Sequence, residues 1–139
     1  MDIAINNLKT QYREQFYGAD FVLKKDTEIT DEDIEKYSLV LVGNVKSNAI
    51  WSRLAAKYPD RLIPYNPPDD WPASSTKEVF AEVFKNPANK NNYLLLIGSN
   101  ELSNMPLLNA FNPFKACVDC YAYKYHEGHE KEYITARRP

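Results

Sequence analysis

The sequence predicts an α/β domain with a mostly parallel, open sheet and helices on both faces. Three observations predict it. The runs Ser38-Leu-Val-Leu-Val-Gly43 and Tyr93-Leu-Leu-Leu-Ile-Gly98 are continuously apolar, as strands buried on both faces are. Each stops at a glycine, and a polar stretch that opens a helical pattern follows. Strand and helix therefore alternate, the order that gives parallel sheets.

The elements follow in order. Ile5, Leu8, Tyr12 and Phe16 recur at spacings of three and four, predicting a helix over 3–17 with Gly18 as its stop. Phe21 to Lys25 is a short strand candidate. Thr30 before Asp31, Glu32 and Asp33 marks a helix start, because free amides and the helix dipole favour acids there. That helix ends near Tyr37. After the first apolar strand, Asn44 to Lys46 turn the chain and Ser47 or Asn48 caps a helix. Its apolar face is Ile50, Trp51, Leu54 and Ala55, and Tyr58-Pro59 ends it. Arg61 to Pro64 is a short strand. Tyr65 to Ser75 is proline-rich and irregular. Ser75 or Thr76 caps a short helix through Phe84, and Lys85 to Asn92 is a polar turn. Beyond the second apolar strand, Ser99 or Asn100 opens a helical stretch to about Ala110, which Pro106 interrupts. Cys117 to Tyr125 alternates as a strand does, Glu127 to Glu132 is a polar turn, and Tyr133 to Ala136 is a last short strand.

Composition narrows the function. The 139 residues suit one domain, and no repeat or linker divides residues 1–139. Hydrophobic residues at 44% and charged residues at 26% are globular values. A net charge of −2 offers no basic field to a nucleic-acid backbone. No window reaches the ~20 apolar residues of a membrane span, so no membrane partner is expected. Four glycines, at 18, 43, 98 and 128, cannot write a glycine-rich phosphate cradle. The expectation is a chain without a cofactor.

Two places offer chemistry. The turns after Gly43 and Gly98 should lie at the same carboxyl edge of the sheet, where open α/β sheets bind ligands. Gly43, Asn44, Lys46, Ser47 and Asn48, with Ser99 and Asn100, could there hold an anion at free helix amides. The plainer role of these residues is to turn and cap the chain. The second place is Cys117, Cys120, His126 and His129, every cysteine and histidine in the chain. Two thiolates and two imidazoles can make a tetrahedral zinc site. The spacing is far from a zinc finger's, however, and a strand would turn Cys117 and Cys120 to opposite faces. The plainer role is a cysteine pair in a strand beside two solvated histidines.

Other constellations are weaker. GxSxG is absent, and neither histidine sits where a nucleophile's base is easily positioned. Asp69 and Asp70 read as exposed loop acids rather than a cation site. Tyr121, Tyr123 and Tyr125 share one face of the predicted strand, suited to packing or to a partner.

A string of pieces carries a resemblance: Phe21-Val-Leu-Lys-Lys-Asp-Thr-Glu-Ile-Thr30, Asp33-Ile34, Leu39-Val-Leu-Val-Gly43-Asn44, Ser47-Asn48, Asn86-Pro87, Asn89 and Tyr93-Leu-Leu-Leu-Ile97. Over about residues 3 to 125 the chain resembles the small accessory domain of secreted bacterial α/β-hydrolase-type esterases and prolyl-oligopeptidase-like proteins. The resemblance implies a three-layer, Rossmann- or flavodoxin-like fold and a parent protein that is secreted or periplasmic. The family's strand before the first helix and its hydrolase domain are both lacking here. The glycines it often has before the Asn-Pro turn are replaced by a proline-rich segment. The expectation is a domain excised or truncated from a larger protein and lacking its usual first strand. Its function would be that of a non-catalytic accessory or interaction domain, not an enzyme. Its partner would be the parent's hydrolase domain or a second copy of itself. The alternative is a small-ligand module, for an anion or nucleotide-like group, at the carboxyl edge.

Overall fold

Among the described residues, five strands form one mixed sheet. A computed structural model describes residues 2–15, 17–18, 21–60, 77–99, 101–109, 120–126 and 129–135. Helices α1 (Asp2–Gln15), α2 (Asp31–Lys36) and α3 (Ala49–Lys57) accompany strands β1 (Leu39–Gly43), β2 (Lys77–Lys85), β3 (Tyr93–Gly98), β4 (Cys120–His126) and β5 (His129–Thr135). A 3₁₀ turn spans Asp26–Glu28, and a 3₁₀ helix Leu102–Asn109 contains Pro106. The strand order is β1-β3-β2-β4-β5. The fold is thus α/β. Among the described residues no helix is long and apolar enough to cross a membrane.

The sheet is not mostly parallel. Among the described residues only β1 and β3 pair parallel; β2–β3, β2–β4 and β4–β5 are antiparallel. The difference begins at residues 77–85, expected as a helix through Phe84 and found as β2. Val79 and Val83, like Phe80 and Phe84, are four apart, a spacing that fits a helical face and a strand face equally. Neighbours on both sides decide for the strand. Val79, Phe80, Ala81 and Glu82 are buried in succession, as in a strand covered on both faces: Phe80 lies in one apolar cluster, Val79 and Ala81 in the other. Phe21–Lys25 is not a strand either. Its backbone is irregular, and Val22 and Leu23 are exposed. β5 begins at His129, so Glu130–Glu132 lie in a strand rather than a turn. The candidate strand 61–64 and the proline-rich segment fall outside the described residues.

Two apolar clusters use alternate positions of the central strands. The first joins Ile34 of α2 and Ile50, Trp51 and Leu54 of α3 to Leu41, Phe80, Leu94 and Leu96. Trp51 meets Phe80 edge to face at 6.2 Å. The second joins Leu8 of α1 and Met105 of the 3₁₀ helix to Val79, Ala81 and Ile97. Each fully buried side chain of this size contributes roughly 1.5–3 kcal/mol.

The helix ends are closed by specific groups. At the end of α1 both Tyr17, at φ 54°, and Gly18, at φ 83°, take left-handed positions, and Gly18 N–H donates to Arg13 O at 2.8 Å. Helix α2 has six residues, too few to persist on propensity. Thr30 Oγ1 accepts from Asp33 N–H at 3.1 Å, and Asp33 Oδ2 accepts from Thr30 N–H at 3.0 Å. The other end is held by the β2–β3 turn. Asn86 Nδ2 donates to Ile34 O at 2.6 Å, while Asn89 and Asn92 Nδ2 donate to Glu35 O at 2.7 and 3.1 Å. Asn86 also accepts from Ala88 N–H, folding its own turn.

Three outcomes follow. Asn86→Ala strands the Ile34 carbonyl in a site where Asn86 is 1% exposed. It should cost about 1–3 kcal/mol, read as a lower urea midpoint at unchanged slope. Thr30→Ala should cost about 1 kcal/mol. The third concerns pH. The Thr30 amide, and after it the Lys24 ammonium, hold the Asp33 carboxyl below its ordinary range. A depressed folded-state value gives stability that is present above the unfolded value and lost as pH falls through the folded one. Urea midpoints below about pH 4 should therefore fall more steeply for the natural chain than for Asp33→Asn.

Candidate functional site

The parallel pairing of β1 with β3 brings the two glycine turns together, as the sequence predicts. Gly43 stands opposite Gly98, and Ser99 N–H donates to Gly43 O at 3.3 Å. Gly43 has φ +125°, open to glycine almost alone. At Gly98 the reason is space, since a Cβ there would overlap the Gly43 carbonyl. Asn44 spans the two turns: its Nδ2 donates to Ser99 O at 3.1 Å.

Around that crossing the polar groups are consumed by one another. Asn44 Oδ1 accepts from the amides of Lys46 and Ser47 at 2.9 and 3.0 Å, and Ser47 Oγ accepts from Asn44 N–H at 2.9 Å. Asn48 N–H donates to Asn44 O. Asn48 Oδ1 caps α3 by accepting from Ile50 and Trp51 N–H, and its Nδ2 donates to Val42 O. The Ala49 amide goes to Asp26 Oδ2 at 2.6 Å, from a residue 23 positions earlier. In the second turn, Ser99 Oγ accepts from Glu101 N–H and from Asn104 Nδ2, both at 3.2 Å. Asn44, Ser99 and Asn104 are buried, and Lys46 is exposed. Asn100 lies outside the described residues.

The hydrogen bonds of the turn bear on its two roles. An anion needs amides without acceptors. Here the amides of Asn44, Lys46, Ser47, Asn48, Ala49, Ile50 and Trp51 all have acceptors within the chain. A carboxylate, Asp26, already sits at the start of α3, where the dipole favours negative charge. The turn residues are therefore engaged in turning and capping. What a ligand could still meet is the exposed Lys46 side chain.

The cysteine–histidine constellation is dispersed. Cys120 begins β4 and His126 ends it, six residues apart, which at about 3.4 Å per residue is ~20 Å. Zinc ligands lie about 2.0–2.3 Å from the ion, so Cys120 and His126 cannot share one. His126 stands opposite His129 in the ladder, and Cys120 opposite Thr135. Cys117, Asp69 and Asp70 lie outside the described residues. Among the described residues no group of three or more histidine, cysteine or acidic side chains is gathered as for a metal ion. Tyr121, Tyr123 and Tyr125 occupy alternate positions of β4, an interior strand with β2 on one side and β5 on the other.

Sequence reasoning placed Gly43, Ser47, Asn48 and Ser99 in the right neighbourhood. It missed Asp26 and Asn104. Asn104 lay in a stretch read as plain helix, and Asp26 acts on a backbone group far along the chain, for which no local pattern exists.

No protein-family model, curated protein or solved structure matches the chain.

Two measurements probe the crossing. Gly98→Ala should destabilise by roughly 3 kcal/mol or more, because the clash is with backbone. Gly18→Ala, with open space around it and only a left-handed φ to strain, should cost about 1 kcal/mol. In thermal-shift titrations, inorganic phosphate should leave the melting temperature unchanged. Stabilisation by phosphate that Lys46→Ala abolishes would favour the anion role.

Proposed function

We propose that the chain is a non-catalytic accessory or interaction domain of a hydrolase-type protein. It packs against the hydrolase domain of its parent protein or against a second copy of itself. One contrast carries the reading. Among the described residues the outer edge strand is β5, whose sequence includes Glu130, Lys131 and Glu132, charges of the kind that discourage strand addition. The opposite edge strand, β1, reads Leu-Val-Leu-Val-Gly, with no charge or proline, and Val40 is 37% exposed. Tyr37 and Val45, just outside it, are exposed too. Among the described residues this apolar edge carries none of those protections, which suits a surface that is covered in the working protein.

The finer architecture belongs to the same proposal. A three-layer, Rossmann- or flavodoxin-like arrangement is supported by two apolar clusters at alternating positions of β2 and β3, each with its own helices. The hydrolase association rests on the sequence resemblance. A small-ligand module at the carboxyl edge is the second reading, favoured by the exposed Lys46 beside two adjoining turns.

The test is association. Sedimentation velocity across a concentration series should show either self-association or binding to a hydrolase domain encoded in the same reading frame. Val40→Lys should abolish that association while leaving the melting temperature nearly unchanged. A chain that is monomeric throughout and ignores that hydrolase domain overturns the proposal.

A further inference from the structure

We draw no further inference here: the strongest candidate, the outer edge of β1 with its exposed Val40, belongs to the interaction surface already proposed, and nothing in the structure shows what covers it.

Discussion

The close passage of Gly98 against the Gly43 carbonyl is the constraint on which the rest depends. It lets two parallel strands end side by side with their backbones nearly touching. With the strands so joined, Asn44 can reach Ser99, and Asn104 can close over Ser99 from the 3₁₀ helix. That helix in turn brings Met105 to the second apolar cluster. A side chain at position 98 would push the strand ends apart and undo this series of contacts together.

Asparagine is the second recurring device. A carboxamide both donates and accepts, so one side chain can close a turn and bind a distant carbonyl. Asn86 does so at the β2–β3 turn, Asn44 at the crossing of the two glycine turns, and Asn48 at the start of α3. Each seals backbone groups that would otherwise be buried without partners, at a net gain of about 1 kcal/mol per bond. The cost is functional. A helix start already filled by Asn48 and Asp26 is poorly suited to an external anion.

The parts legible in the sequence were those whose signal is local. The runs ending at Gly43 and Gly98 are strands, Asn48 caps α3, and Thr30 with Asp33 opens α2. The parts that failed turned on partners distant in sequence. Residues 77–85 have apolar positions four apart, which fit either period, and only flanking strands resolve them. Phe21–Lys25 has strand composition, yet among the described residues its backbone joins no ladder. The candidate turns were found in place, and their hydrogen bonds are those of the plainer role, turning and capping the chain. Residue types at a turn show what can bind there; whether they are already bound depends on a residue such as Asp26, which sequence proximity does not reveal.

The strand order also sets a sequence of events in folding. β2 and β3 are joined by a short turn that asparagine side chains already close, so their antiparallel pairing is local and quick to form. The parallel pair is not. Asn44 and Ser99, at the end of its ladder, are 55 residues apart, and the loop between them must close before any of its bonds stabilise the chain. β3 is therefore expected to hold β2 on one edge while the backbone of its other edge stays open to strand addition until β1 docks. In refolding, that open edge is where association between chains would compete with the native pairing.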